Sequence, residues 1–216
     1  MVRLLLWELH SCSASPSMKI FYPILVFSML LGAPAQAHSF LAEGGAYDLF
    51  VEGTTVILQD VRLLLPIVAL GLLISLWKAD GLISAWPANI AGNVLGVPLA
   101  VLVSDKIILV YLLIGVFVGL IASLTPKRSA TEIKVFALVL GLISMLSALE
   151  GHEFFELPLA IYLGLIFGLN LVFAATANIS GLILSTFKAN WVNVAIRAIS
   201  SWTAAIGILI FAVNFK

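Results

Sequence analysis

The stretch IILVYLLIGVFVGLIASL, at Ile107–Leu124, contains no charged residue. A helix that crosses the roughly 30 Å of hydrocarbon in a bilayer needs about 20 predominantly apolar residues. A strand of a membrane barrel is shorter, with about ten residues of alternating polarity. The stretch therefore predicts a membrane-spanning helix, and the fold depends on how often such stretches recur along the chain.

Five further apolar runs of similar length flank this segment. They are Thr54–Trp77, Leu82–Val103, Ile133–Leu149, Leu157–Ile179 and Val192–Val213. The run that begins at Leu157 stays apolar through Phe187, so it is either one long tilted helix or a helix broken near Asn178. We expect an all-α integral membrane bundle of about six transmembrane helices, which forms a single domain over residues 38–216.

The composition supports this prediction. Of the 216 residues, 62% are hydrophobic and 10% are charged, and the formal net charge is zero. Soluble domains carry about 25% charged residues, and disordered chains have low hydrophobicity and high charge. Because nucleic-acid binding relies on clustered Lys and Arg, a nucleic-acid partner is also not expected. The predicted partner is the lipid bilayer.

The N-terminal region has the pattern of a secretory signal peptide. Met18-Lys19 precedes the apolar run Ile20–Leu31, and Ala35-Gln36-Ala37 has the small residues that signal peptidase cleaves after. Residues 1–37 are therefore interpreted as an upstream extension plus a cleavable signal at 18–37. An uncleaved N-terminal anchor is the alternative.

Cleavage after Ala37 would change the chemistry of the mature chain. The only cysteine, Cys12, would be removed, which would leave no disulfide and no thiolate metal ligand. His38 would become the first residue and would add a free amine to its imidazole.

The distribution of charge predicts the orientation. With the mature N-terminus outside the bacterial inner membrane, in the periplasm, six spans place most basic residues of the loops in the cytoplasm, as the positive-inside rule requires. These are Lys78, Lys127, Arg128, Lys134 and Lys188. The acids that fall outside are Glu43, Asp48, Glu52, Asp105, Glu150, Glu153 and Glu156. This acidic face would attract cations.

Several polar residues lie inside the predicted spans, where a charge costs roughly 2.5–3.5 kcal/mol on insertion scales. On one continuous helix, Asp60 and Arg62 would point about 200° apart, so we expect no ion pair between them. One would face the bundle, or both would snorkel to the interface. Arg197 is expected to snorkel near the headgroups. Asn178, with Asn170, Asn89 and Asn93, is expected to bond neighbouring helices.

Three pairs of glycines lie four residues apart in the predicted spans. They are Gly92–Gly96, Gly115–Gly119 and Gly164–Gly168. Small residues at this spacing let helix backbones approach closely, so these pairs predict tight packing and no chemistry.

The predicted outer loop Glu150–Glu156 is the densest group of potential metal ligands. His152 and the neighbouring acids combine an imidazole with carboxylates, a donor set that suits zinc or nickel, and His38 would add a second imidazole. A solvated loop is the alternative. The sequence contains no nucleophile elbow, HExxH motif or phosphate-binding loop, so no enzyme activity is predicted.

Together these features resemble the HupE/UreJ family of hydrogenase and urease accessory membrane proteins. The residues that carry the resemblance are Ala37-His38, Leu58-Gln59-Asp60-Val61-Arg62-Leu63-Leu64, Leu70-Gly71-Leu72-Leu73, Glu150-Gly151-His152-Glu153, Glu156-Leu157-Pro158 and Arg197-Ala198. Such proteins are thought to be nickel permeases, or cobalt carriers in related branches. The residues that carry over from the family pattern are Asp60, His152, Glu156 and Arg197.

The resemblance implies a transition-metal permease that supplies hydrogenase or urease assembly. Its metal ligands would be His38, His152, Glu156 and Asp60, and the divalent ion would be cargo, with no tightly bound cofactor. Since Val61 and Asn178 stand where the family has histidines, the alternative is a membrane scaffold that assembles a metalloenzyme without transport. A carrier of another small solute and a homo-oligomer also remain open.

Overall fold

The computed structural model describes residues 44–78, 80–102, 106–124, 128–153, 156–187 and 189–214. Within these ranges the chain forms seven α-helices and no β-strand. The helices are α1 (Ala46–Gln59), α2 (Val61–Trp77), α3 (Gly81–Leu99), α4 (Ile107–Leu124), α5 (Ala130–Ala148), α6 (Leu159–Thr186) and α7 (Asn190–Asn214). A 3₁₀ turn at Ala100–Leu102 extends α3. The prediction of an all-α bundle is confirmed.

Five helices, α3 to α7, are long and apolar enough to cross a membrane. Helices α1 and α2 pass the same test only as a pair that is bent by 75°, so the described residues hold five spans, or six if the pair is one broken span. The protein is therefore a multi-pass membrane protein. The predicted signal peptide at 18–37, Cys12 and His38 lie outside the described residues.

The prediction of one continuous first span, Thr54–Trp77, is wrong. Helix α1 begins eight residues earlier and ends at Gln59, and Asp60 has an extended backbone with φ −86° and ψ 104°. The carboxylate of Asp60 accepts a hydrogen bond from the backbone N–H of Arg62 at 2.8 Å. Aspartate is a favoured N-cap because it satisfies a donor at the open start of a helix. Asp60 therefore ends one helix and begins the next.

The alternative of a break near Asn178 is excluded, because α6 runs without interruption for 28 residues. At 1.5 Å per residue this helix is about 42 Å long, which exceeds the hydrocarbon thickness. The predicted end at Ile179 was therefore too early. By contrast, the predicted bounds Ile107–Leu124 coincide with α4.

Helix α2 is the centre of the bundle and contacts all six other helices. Leu63, Ile67, Leu70 and Ile74, spaced along its length, are almost completely buried. Since lipid tails are as apolar as these side chains, close packing rather than the hydrophobic effect has to hold the bundle together.

The glycine pairs provide that packing, as predicted. Gly92 of α3 lies so close to the carbonyl of Leu138 in α5 that a Cβ would collide with it. Gly164 of α6 meets the carbonyl of Phe50 in α1 in the same way. Both helix pairs therefore touch backbone to backbone.

The polar contacts define two ends of the bundle. At the Glu150 end, Oε2 of Glu150 accepts a hydrogen bond from the backbone N–H of Ile108 at 3.2 Å, which places the end of α5 beside the start of α4. At the opposite end, the Arg128 end, the indole N–H of Trp77 donates to the carbonyl of Arg128 at 3.0 Å.

Candidate functional site

Asp60 and Arg62 form an ion pair at the Glu150 end, where α1 and α2 meet. Nε of Arg62 lies 3.0 and 3.1 Å from the two carboxylate oxygens, and the Nη2 nitrogen lies 2.8 Å from Oδ2. The Asp60 side chain is 8% exposed and that of Arg62 is 22% exposed. The expectation that these residues cannot pair is wrong, because Asp60 lies outside the helix and the rotation of 100° per residue does not apply to it.

Glu150 is a second carboxylate whose charge reaches this pair, with a smaller effect than that of Asp60. Its negative charge acts on the Arg62 guanidinium together with that of Asp60. It also accepts the hydrogen bond from Ile108 in the first turn of α4, where helix N–H groups carry partial positive charge. Asp60, Arg62 and Glu150 therefore form one group, which we call the ionic cluster. Sequence reasoning placed Glu150 only in the loop and missed its relation to Arg62.

A hydrogen bond from Tyr111 joins α4 to the start of α2, the helix that follows Asp60. Tyr111 is fully buried, and its hydroxyl donates to the carbonyl of Leu63 at 3.0 Å. A buried hydroxyl needs such a partner in an apolar bundle, and this bond links the second turn of α4 to the first turn of α2.

His152 and Glu156 lie side by side in the loop that follows α5. Nδ1 of His152 is 3.4 Å from Oε2 of Glu156. The same oxygen accepts a hydrogen bond from the backbone N–H of Glu153 at 2.8 Å. This bond, with a smaller contribution from the attraction of His152, lowers the pKa of Glu156 below its ordinary value. An imidazole and an ionised carboxylate are thus held together on an accessible loop.

The structure brings together only part of the predicted ligand set. His152 and Glu156 are neighbours, whereas Asp60 is bound to Arg62. Among the residues that the structure describes, no three His, Cys, Asp or Glu side chains are placed to hold a metal ion. His38 lies outside these residues, so the four-ligand site stays a prediction.

The remaining predicted polar residues have different environments. Arg197 lies two turns into α7, and its Nε donates to the carbonyl of Ser123 at 2.6 Å, so it links α7 to the end of α4. Asn178 is exposed on α6. Asn170 accepts a hydrogen bond from the indole N–H of Trp86 at 2.9 Å, which joins α6 to α3.

A second buried polar group lies between α3 and α5. Asn89, Asn93 and Ser144 are each fully buried. The amide nitrogen of Asn89 donates to the carbonyl of Ala137 at 3.1 Å. The asparagines were expected to bond neighbouring helices, but sequence reasoning missed Ser144, which no spacing pattern marks.

These features define a multi-pass α-helical membrane protein with an ionic cluster at one end and a buried polar group inside the bundle. No protein-family model, curated protein or solved structure matches the chain.

Proposed function

We propose that this chain is a HupE/UreJ-like permease that carries a transition-metal ion, with nickel as the cargo, across the bacterial inner membrane for hydrogenase or urease assembly. The observation that carries the proposal is the pairing of His152 with Glu156 at 3.4 Å. Imidazole and carboxylate are donors that nickel accepts, and an accessible pair can bind and release an ion.

The distribution of charge supports an inward direction of transport. Among the described residues, the Glu150 end carries Asp48, Glu52, Asp60, Glu150, Glu153 and Glu156 against Arg62 and Lys106. The Arg128 end carries Lys78, Arg128, Lys134 and Arg197 against Asp80 and Glu132. Under the positive-inside rule, this difference supports a periplasmic location for the Glu150 end. An acidic periplasmic face raises the local concentration of cations.

In this proposal the ion passes from the loop to the ionic cluster. His152 and Glu156 capture it, and Asp60 receives it at the start of α2. Because the carboxylate of Asp60 is bonded to Arg62, the guanidinium has to move before an ion can bind there. The negative charge of Glu150, which acts on Arg62 more weakly than that of Asp60, favours the charged guanidinium while Asp60 is occupied.

The test is uptake of radioactive nickel by cells that express the protein. His152→Ala and Glu156→Gln should each lower the initial rate at limiting nickel by about tenfold, since even the outer partners of metal ligands are commonly worth that much. The matched control is Glu153→Gln, which removes an acid from the same loop but keeps the backbone donor to Glu156. Equal rates for all variants, or a wild-type rate no higher than that of cells without the protein, would contradict the proposal.

The second candidate is a scaffold that assembles a metalloenzyme without transporting an ion. Two observations favour it. Asp60 forms an ion pair with Arg62 rather than offering a vacant ligand, and the seven described helices contain no histidine that could bind a metal ion within the bundle. Co-purification of a partner complex, together with no effect of nickel on thermal stability, would select the scaffold over the permease.

A further inference from the structure

The guanidinium of Arg128 is a charged group that makes no hydrogen bond with the residues that the structure describes. Its Nε is buried without a partner, and its ionic contact, from Nη1 to Oε2 of Glu132, is 3.6 Å long. Arginine has five N–H donors, and a charged donor that lacks an acceptor is costly where protein atoms exclude water. The side chain as a whole is 26% exposed, so an acceptor from outside the chain can approach this guanidinium.

Glu132, the ionic partner of Arg128, already serves the start of α5. Its Oε2 accepts a hydrogen bond from the backbone N–H of Ser129 at 3.4 Å, and the Ser129 hydroxyl accepts one from the backbone N–H of Glu132 at 3.2 Å. This reciprocal pair is a capping box, which satisfies N–H groups at the open start of a helix. A long, exposed ion pair contributes little by comparison. Arg128 is therefore available to a stronger acceptor.

Arg128 lies where the apolar surface of the bundle meets the loops. The indole N–H of Trp77 donates to the backbone carbonyl of Arg128 at 3.0 Å, so α2 ends beside the start of α5. Tryptophan is enriched at this depth of a membrane, because its ring is apolar and its N–H is polar. Leu124 at the end of α4 is 72% exposed, and Val135 in α5 is 53% exposed. A cation and an accessible apolar surface thus adjoin each other, which is the arrangement that a phospholipid matches.

Lys78 adds a second cation to this edge of the bundle. It follows Trp77 directly and is exposed, so the bond from Trp77 to Arg128 brings both basic residues to neighbouring helix ends. The acids described at this end are Asp80 and Glu132, which are outnumbered by the basic residues. A guanidinium and an ammonium are the groups that bind phosphate oxygens in proteins. The charge of the site therefore matches an anion with a phosphate group.

We propose that Arg128 and Lys78 bind the phosphate of an anionic phospholipid, whose acyl chains cover the apolar surface beside Leu124 and Val135. Basic sites between transmembrane helices bind anionic headgroups in this way. A zwitterionic lipid offers the same phosphate next to a cation, so the positive edge favours a lipid with net negative charge. The site includes none of the predicted nickel ligands and does not depend on the proposed nickel transport.

The test uses the full chain, purified in a non-ionic detergent, with native mass spectrometry to count bound lipids. Phosphatidylglycerol should bind saturably and about tenfold more tightly than phosphatidylcholine, which has the same phosphate but no net charge; tenfold corresponds to one charge-assisted hydrogen bond. Inorganic phosphate presents the anion without acyl chains, and an excess of it should not displace phosphatidylglycerol.

Three substitutions separate a headgroup site from general attraction between charges. Arg128→Gln should weaken phosphatidylglycerol binding about tenfold, because it removes the guanidinium. Glu132→Gln should strengthen binding about threefold, since glutamine keeps the capping box but removes the competing negative charge. The matched control is Lys134→Gln, which removes an exposed positive charge from the same end of the bundle and should leave the affinity unchanged.

Lys78→Gln tests the second cation at an exposed position, and it decides the outcome if Arg128→Gln aggregates. It should weaken phosphatidylglycerol binding about threefold. Equal affinities for phosphatidylglycerol and phosphatidylcholine would overturn the proposal, and so would displacement of the lipid by inorganic phosphate, which would show a site for a free anion. A loss in Lys134→Gln as large as that in Arg128→Gln or Lys78→Gln would also overturn it. Nickel uptake is measured separately, so failure of one proposal leaves the other standing.

Discussion

Arg62 binds both carboxylate oxygens of Asp60, although only one residue separates them in the chain. The contact exists because Asp60 caps α2 from outside the helix, which lets the Arg62 side chain fold back over the helix start. The same aspartate thus serves as helix cap and as counterion. The bend of 75° between α1 and α2, the ion pair and the start of the central helix all depend on this position.

We expect Asp60→Ala to be the most destabilising single change at the Glu150 end. It removes the N-cap, worth about 0.5–2 kcal/mol, and leaves Arg62 without its counterion. Asp60→Asn keeps a capping oxygen and should recover part of the loss. Tm in detergent measures both effects. The control is Asp48→Asn at the exposed start of α1, and a Tm for Asp60→Ala equal to that of the control would contradict this account.

Tyr111→Phe should lower the free energy of unfolding by about 1 kcal/mol, because the change removes one buried hydrogen bond without altering ring packing. Tyr47→Phe is the matched control, since Tyr47 is exposed on α1. Denaturation in mixed micelles measures the difference between the two variants. If both behave alike, the bond from Tyr111 to the Leu63 carbonyl does not stabilise the bundle.

Gly92→Ala should separate α3 from α5 and lower stability by roughly 1–3 kcal/mol, the usual cost of overpacking. The added methyl group has no room, because the Leu138 carbonyl occupies its position. Gly44→Ala is the control, since a Cβ there meets only ordinary contacts at 3.4 Å or more. Tm measures the effect, and an unchanged value for Gly92→Ala would show that the helices separate at no cost.

The Glu156 carboxylate should titrate below its ordinary pKa of 4.5. Because folding lowers this pKa, the carboxylate stabilises the loop fully above pH 4.5, and the contribution is lost as the pH falls through the lower folded value. An NMR titration of the labelled side chain measures the midpoint. Glu153→Gln should leave it unchanged, since the donor is the backbone N–H, while His152→Ala should raise it. A midpoint at or above 4.5 in the wild type would be inconsistent with the hydrogen bond.

Labelling of single cysteines tests the orientation. In a Cys12→Ser background, Glu153→Cys should react with a membrane-impermeant maleimide in intact cells, and Lys134→Cys should react only after lysis. Both positions are exposed, at opposite ends of the bundle. The reverse pattern would place the Glu150 end in the cytoplasm and contradict the proposed direction of transport.

Local features of the chain determined the class of protein. A helix that must satisfy its own backbone groups in lipid needs a long apolar run, so the all-α membrane class and the bounds of Ile107–Leu124 were readable from hydrophobicity alone. The close packing at Gly92 and Gly164 was also predictable. Glycine has no side chain, so it lets the backbone of a neighbouring helix approach closely.

Only the tertiary structure decided where the polar side chains find their partners. The pairing of Asp60 with Arg62 required the break between α1 and α2, in a segment that the sequence pattern predicts to be one continuous helix. The approach of Glu150 to Arg62 and of Ser144 to Asn93 joins residues more than fifty positions apart. Hydrophobicity specifies that a segment enters the membrane, but it does not specify which helices become neighbours, because every apolar face satisfies lipid equally well.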